Sequence, residues 1–197
     1  MNQFSISRAT TKDKRLLCKL FINHNHSYIK WSDRPSRKLY WLLHENEELV
    51  GVFGLGSGFV RPKVISLLMT EKNISFNEIG NNIVFCMSGQ IDKNAGSKLL
   101  SLVRRDAKKW WKERYGDNLK LLQTFILPPR TGSVYKADNW KYIGDTSGVS
   151  QITKTIRISN VNNTDKVITK VFNDGSVRYL TRSMSKTDVK LIFIKEM

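Results

Sequence analysis

Cysteine is scarce in this chain of 197 residues, which has only Cys18 and Cys86. Two cysteines cannot form a disulfide framework or a cysteine-based zinc knuckle, so we expect a reducing compartment, the cytoplasm. Long apolar runs are also missing: the stretch 64–69 is among the longest, and a membrane-spanning helix needs about 20 apolar residues. The N-terminal segment has no apolar signal core. These absences predict a protein that is neither secreted nor bound to a membrane.

Acidic residues are few: 17 Asp and Glu stand against 33 Lys and Arg, which leaves a net charge of +16. The basic excess is spread along the whole chain rather than gathered in a tail, so we expect it on a folded surface. Hydrophobic residues make up 40% of the chain, enough to form a core. A folded basic surface is typical of proteins that bind nucleic acid. A merely soluble basic protein is the alternative.

Hydrophobic periodicity predicts one mixed α/β domain over 1–148, with a β-rich C-terminal extension over 149–197 packed on it. A first helix is predicted from Thr11 to about Asn23, with Leu16, Leu17, Leu20 and Phe21 at helical spacing and Cys18 on an apolar face. A long second helix is predicted from Ala95 to about Tyr115. The predicted strands of the main domain are 3–8, 38–44, 48–53, 64–69, 83–87, 120–126 and 139–144.

The sharpest local feature is a strand followed by a short loop and then the long helix. A helix N-terminus offers unpaired amides that bind phosphate. The loop resembles the pyrophosphate-binding loop of acetyltransferase-type folds, although Lys93 stands where that pattern has its central glycine. It predicts acetyl-CoA or another acyl-CoA as donor; a plain helix cap by Asn94 is an equally good interpretation. The candidate cofactor-binding residues are Gln90, Lys93, Asn94, Ala95, Gly96 and Ser97.

Two groups of residues are candidates for contact with nucleic acid. Arg105, Lys109 and Lys112 share the side of the long helix opposite its apolar stripe; an ordinary solvated face is the alternative. Lys30 and Trp31 lie in the polar loop after the first helix, where charge beside an aromatic ring suits phosphate contact and base stacking. The two histidines that begin that loop have no third ligand beside them, so we predict no metal site.

A motif over 132–144 follows the strand predicted at 120–126. Ligands of α/β sheets bind beyond the carboxyl ends of strands, which places this motif near a site. Tyr135 has a hydroxyl that donates a proton or a hydrogen bond, and the Asn139 amide suits recognition of an amide or a base edge. For Tyr135, a core position is an equal alternative.

The stretches 94–100, 110–116, 120–125 and 132–144 resemble the Mom proteins, phage enzymes that hypermodify adenine in the phage's own DNA. They also resemble the related domain of the Druantia anti-phage protein DruA. The pattern Gly-x-x-Tyr-x-Ala-x-Asn-Trp is the specific part of the likeness. It is supported by the sequence GlyValPheGlyLeuGly at 51–56 and by HisSerTyr at 26–28.

The resemblance implies a GNAT-like α/β fold, a mixed central sheet flanked by helices. It also implies a transferase that attaches a carbamoylmethyl group to the exocyclic amine of adenine in double-stranded DNA, as a shield against restriction. Mom proteins have an acidic residue before the proline that follows the central strand, where this chain has Leu127. Asp138 is the nearest replacement. The catalytic candidates are therefore Tyr28, Ser97 and Tyr135 by position, with Asp138 and Asn139 from the motif.

Three other functions fit the same residues. A catalytically silent DNA-binding module, like the DruA domain, is favoured by the missing acidic residue. An acyltransferase that acts on aminoacyl-tRNA would carry a similar basic charge, and a protein that blocks a host factor needs no chemistry. Mass spectrometry of nucleosides from cells that express the protein separates these functions.

Overall fold

The computed structural model describes residues 2–26, 29–32, 36–89, 91–92, 94–156, 167–171 and 176–197. Their helices are α1 (Lys12–Asn25), α2 (Lys63–Glu71), α3 (Ala95–Tyr115) and α4 (Ser133–Ala137), with a short 3-10 helix at Phe76–Glu78. Their strands are β1 (Phe4–Arg8), β2 (Lys38–Glu45), β3 (Glu48–Ser57), β4 (Ile79–Met87), β5 (Leu121–Ile126), β6 (Lys141–Asp145), β7 (Val149–Ile156), β8 (Val167–Val171), β9 (Val177–Lys186) and β10 (Leu191–Glu196).

The described chain divides into two compact units. The first, Met1–Asp145 with Leu191–Met197, is built on a seven-stranded sheet in the order β1-β2-β3-β4-β5-β10-β6. Its neighbouring strands are antiparallel except for β4 and β5, which are parallel. The second unit, Thr146–Lys190, contains the antiparallel sheet β7-β9-β8. The stretch 149–197 thus contributes β10 to the first unit's sheet, between β5 and β6.

Helices cover both faces of the seven-stranded sheet, as predicted for a mixed α/β fold. Side chains of a strand alternate between the two faces. Along β2, Leu39, Trp41 and Leu43 pack in one cluster with α3, whereas Tyr40 and Leu42 pack in another with α1. Helix α2 packs through its buried Ile65 against β4, β5 and β10 on the face away from α3. The sheet therefore separates α1 and α2 from α3 and α4.

Two sequence-based predictions about helices were wrong in part. The stretch 64–69 forms helix α2, not a strand, because a six-residue apolar run has no readable period; Ile65, Leu68 and Met69 lie on its packed face. Helix α1 exists, but Cys18 and Ile22 face the core, while the leucines at 16, 17 and 20 are exposed. Among the helices that the structure describes, none has the length and apolar character needed to cross a membrane.

Gly132 and Gly116 provide a matched test of packing at helix ends. Both have a left-handed backbone, with φ of 69° and 77°. A Cβ at Gly132 would lie 2.8 Å from Phe193 Cε2, whereas a Cβ at Gly116 would meet nothing within 4 Å. We expect Gly116→Ala to cost about 1–2 kcal/mol of unfolding free energy from backbone strain. Gly132→Ala should cost about 1–3 kcal/mol more from overpacking.

Urea unfolding of the two variants measures both losses. Equal losses would contradict the crowding of Gly132 against Phe193.

Candidate active site

Strands β4 and β5 pair over three positions only: Ile79 with Leu121, Gly80 with Leu122 and Asn81 with Gln123. Beyond these pairs both strands continue, β4 to Met87 and β5 to Ile126, without pairing to each other. A cavity of about 420 Å³ lies at this divergence, and we call it the split cavity. Its described lining includes His26 and Ile29 on the α1 side, residues 82–85 and 124–126 of the two strands, and 129–135. The split cavity therefore passes between the two faces of the sheet.

A β-bulge shapes the wall of the split cavity formed by β4. Gly54 of β3 faces Val84, while the next residue, Leu55, faces Asn82, so that Ile83 is the extra residue. The buried Asn82 side chain closes the bulge: Nδ2 donates to the carbonyl oxygens of Gly54 at 3.0 Å and Val84 at 2.7 Å. Bulges re-aim a strand next to a site, and here the Asn82 amide fixes that change of direction.

Tyr135 lies on α4 and meets this bulge from the α3 side of the sheet. Its ring is buried, with ring centroids 5.1 Å from Trp140 and 6.2 Å from Phe85. Its hydroxyl donates to Asn82 Oδ1 at 2.5 Å, and Tyr135 also lines the split cavity. The two interpretations of Tyr135 are therefore compatible: the ring belongs to the core and the residue borders the cavity.

An ion pair holds α4 against α3. Arg104 donates through Nε and Nη2 to the two carboxylate oxygens of Asp138, both at 3.1 Å. Trp140 Nε1 donates to the same carboxylate at 2.9 Å. Asp138 is buried and is not part of the lining of the split cavity, so its carboxylate positions α4. Asn139 is exposed after α4, with a φ of 57°, and its carbonyl accepts from Lys195 Nζ.

A second cavity, of about 490 Å³, lies at the N-terminus of α3, and we call it the helix-end cavity. It shares Phe85, Ser133 and Val134 with the split cavity. Of the six predicted cofactor-binding residues, Asn94, Gly96 and Ser97 line it. Gln90 and Lys93 lie outside the described residues.

The start of α3 uses part of its own hydrogen-bonding capacity. The Ala95 amide donates to Asp92 O at 3.1 Å, and Ser97 Oγ donates to Asn94 O at 3.1 Å. Asn94 occupies the N-cap position with a φ of 72°, but its side chain caps no amide. A Cβ on Gly96 would lie 2.9 Å from Val134 Cγ2, so Gly96 allows α3 to approach α4 closely. Ala95 is therefore not available to a phosphate through its amide.

On the opposite face, a third cavity of about 410 Å³ lies beside α1, and we call it the aromatic pocket. Trp31 and Tyr40 line it and stack on each other, with ring centroids 4.5 Å apart. It shares Ile29, Ile83 and Val84 with the split cavity. Lys30 also lines the aromatic pocket, whereas the catalytic candidate Tyr28 lies outside the described residues.

The structure does not bring the two groups of DNA-binding candidates together. Lys30 and Trp31 are on the α1 face, while Arg105, Lys109 and Lys112 are exposed on α3, which covers the other face. Arg105 Nε donates to Ser101 O within the same helix. Lys109 Nζ lies 3.9 Å from Glu113. These three cations therefore lie on a solvated surface of α3, away from the aromatic pocket.

His26 lines the split cavity. The sequence raised it only as a metal ligand without a third partner and as part of the HisSerTyr likeness, because nothing in its spacing separates a cavity residue from a solvent-exposed loop residue. Its Nδ1 accepts from the Ile29 amide at 3.1 Å. Burial lowers the pKa of His26, and the charges of Arg130 and Lys30 lower it further. The neutral ring therefore carries its proton on Nε2. Within the described parts of the chain, no cluster of side chains suits a metal ion.

These features define the class of protein. A seven-stranded sheet that splits between two central parallel strands, with cavities on both faces, forms a GNAT-like fold. The FeeM N-acyl amino acid synthase from uncultured soil microbes has this fold, with a TM-score of 0.50, 10% identity and coverage of 99% of this chain and 90% of that one. A mosquito arylalkylamine N-acetyltransferase-like protein matches with a TM-score of 0.51, 9% identity and coverage of 98% and 100%.

The chain belongs to the Mom protein family, whose model matches residues 10–191. No curated protein matches the sequence. The family resemblance and the GNAT-like fold expected from the sequence are both confirmed.

Arg104 and its neighbour Arg105 provide a test of the ion pair that holds α4. Arg104→Met leaves the buried Asp138 carboxylate without its cation, and we expect a loss of about 2–4 kcal/mol in unfolding free energy. Arg105→Met, on the exposed side of the same helix, should change it by less than about 0.5 kcal/mol. Urea unfolding measures both; losses of similar size would show that the Arg104–Asp138 pair is not structural.

The lowered pKa of His26 predicts a pH effect. Below the ordinary value of 6.5, the unfolded chain binds a proton that the folded chain resists. The stabilisation present above pH 6.5 is therefore lost as the pH falls towards the lowered pKa. His26→Asn keeps an acceptor for the Ile29 amide but does not titrate. We expect its urea midpoint to fall less steeply than that of the natural protein between pH 6.5 and 5. Identical pH dependence of the two midpoints would contradict the lowered pKa of His26.

Proposed function

We propose that this protein is an N-acyltransferase-like enzyme that modifies the exocyclic amine of adenine in double-stranded DNA, as a shield against restriction. The observation that carries the proposal is the split cavity, which joins the two faces of the sheet beside Tyr135. A transferase needs two substrates to meet at one point, and this cavity adjoins one pocket on each face. Membership of the Mom family supports DNA as the acceptor.

The donor side is the helix-end cavity. An acyl-coenzyme A, when bound, supplies an activated acyl carbon and a thiol leaving group. The residues fit such a molecule: beyond Asn81 the facing edges of β4 and β5 are not paired to each other, which leaves backbone groups for the amides of an extended chain. Asn94, Gly96 and Ser97 line the far end of the cleft at the start of α3, where the helix dipole favours phosphate.

The acceptor side is the aromatic pocket. An adenine in duplex DNA must leave the base stack before its amine is accessible, and enzymes hold such flipped bases on aromatic side chains. Trp31 and Tyr40 provide aromatic surface in a pocket that shares three residues with the split cavity. Lys30 and Lys38 also line this pocket and suit the negative backbone of the strand.

The groups at the site that can accept or donate a proton suit an aromatic amine as the acceptor substrate. The described lining of the split cavity contains no carboxylate, and Leu127 replaces the acidic residue of the Mom proteins. The exocyclic amine of adenine is uncharged at neutral pH, so it needs no base before attack. As its nitrogen bonds to the acyl carbon, the bond from that carbon to the leaving group breaks. The Tyr135 hydroxyl lies at the cavity wall and donates to Asn82 Oδ1. We assign Tyr135 as the residue that turns its proton from Asn82 to the leaving group and then takes up the proton that the amine loses, so that the hydroxyl is restored.

Nucleoside mass spectrometry of DNA from cells that express the protein tests this function. A new modified adenine supports the proposal, and calorimetry with coenzyme A thioesters tests the donor.

The second candidate is a catalytically silent DNA-binding module, favoured by the engagement of Asp138 with Arg104 and Trp140. Unmodified DNA together with tight retention of DNA would establish that alternative and overturn the enzymatic proposal.

Tyr135→Phe tests the role of the hydroxyl. The ring contacts remain, so the fold should persist, while the rate of modification should fall by about 100-fold or more. Tyr142→Phe is the matched control, because Tyr142 is exposed on β6 and donates only to the nearby Asp145. Activity assays with purified protein and duplex DNA should show the loss in kcat rather than in KM. An unchanged rate for Tyr135→Phe excludes Tyr135 as the proton donor.

A further inference from the structure

A small cavity of about 200 Å³ lies at the edge of β2, outside the three cavities described above. Strand β1 ends at Arg8, and the last backbone hydrogen bond from that segment to β2 runs from the Ala9 amide to Tyr40 O. Beyond this bond, residues of α1 and of the end of α3 border the edge of β2. We call this cavity the cationic pocket; its polar and aromatic lining consists of Thr10, Arg15, Lys38, Tyr40, Trp110 and Arg114.

Two arginines of the cationic pocket form no ion pair with a described residue. Arg15, Lys38 and Arg114 line it, and none of its described lining residues is acidic. Among the described residues, Arg15 and Arg114 have no ion-pair partner. Three other arginines of the same unit, Arg8, Arg37 and Arg104, are paired with Asp106, Asp117 and Asp138 respectively. Two unpaired guanidinium groups in one cavity favour an anionic ligand.

Trp110 adds an aromatic donor to the lining of the cationic pocket. Three other tryptophans of the same unit donate their indole N–H within the protein: Trp41 to Asp106, Trp111 to Asn77 O and Trp140 to Asp138. The Trp110 N–H has no acceptor among the described residues and is not a buried atom, so it is open to solvent. It can therefore donate to a ligand oxygen beside the two arginines.

The cationic pocket adjoins the proposed acceptor site. It shares Lys38 and Tyr40 with the aromatic pocket. We propose that the cationic pocket binds a backbone phosphate of the DNA strand whose base enters the aromatic pocket. This inference rests on the proposed function for the identity of the polyanion. It places the DNA against the edge of β2, and not on the outer face of α3 that carries Arg105 and Lys109.

Binding of a fluorescent duplex DNA, measured by anisotropy at several salt concentrations, tests the proposal. In Arg15→Gln/Arg114→Gln we expect affinity to fall about tenfold or more and the salt slope to fall by about 1, since loss of one phosphate contact lowers it by about 0.9. Lys63→Gln/Lys141→Gln removes the same charge from exposed positions outside the pocket. That control should keep both the slope and the affinity within about threefold. Thermal unfolding confirms that each variant folds.

Each result of these binding measurements leads to one conclusion about the phosphate site or the proposed function. Equal DNA binding by the pocket variant and the natural protein overturns the phosphate site and leaves the proposed function standing. Loss of affinity in Arg105→Gln/Lys109→Gln alone would move the DNA to the outer face of α3 and also overturn it. Failure of the natural protein to bind duplex DNA at low salt contradicts the proposed function itself. Preference for transfer RNA over duplex DNA, with the same two arginines required, assigns the pocket to RNA and overturns the DNA proposal.

Discussion

Parallel strands normally pair along their whole overlap because unpaired backbone groups inside a protein are costly. Strands β4 and β5 pair for three positions and then separate. The bulge at Ile83 redirects β4, and the Asn82 side chain satisfies two carbonyl oxygens at that point. The edges that remain surround the split cavity, which joins the two faces of the sheet. The proposed chemistry depends on this separation, because it is where a donor from one face reaches an acceptor from the other.

A chain of specific contacts keeps that opening in a fixed shape. Arg104 holds Asp138, which follows α4, and α4 carries Tyr135 to Asn82 on the bulge. Each member is buried or half-buried, so each hydrogen bond is protected from competition with water. These contacts fix the position of the hydroxyl oxygen, and only its O–H bond has to turn from Asn82 when a reaction demands the proton. The ion pair and the tyrosine thus have separate roles: Arg104 and Asp138 position the helix, and Tyr135 borders the cavity.

Net charge alone does not show where on its surface this protein would bind a polyanion. Several arginines form ion pairs within the protein, such as Arg8 with Asp106 and Arg37 with Asp117. Their charges are neutralised there, so they contribute little to the attraction of a polyanion to the surface. The cations on the outer side of α3 are solvated and lie across the sheet from Trp31. The arginines without carboxylate partners at the edge of β2 lie next to the aromatic pocket instead. Location beside the aromatic pocket, rather than the number of cations, distinguishes the proposed binding surface from the outer side of α3.

The sequence by itself determined the mixed α/β class, the long helix α3 and the family, because these depend on composition, on a sustained helical period and on the motif around Tyr135. It did not determine that 64–69 is helical or that Leu16, Leu17 and Leu20 of α1 are exposed; short runs carry too little periodic information. Only the tertiary structure decided that Asp138 is paired with Arg104, that His26 borders the cavity and that Lys30 and Arg105 lie on opposite faces. Those facts depend on contacts between residues far apart in the chain, and no local pattern records them.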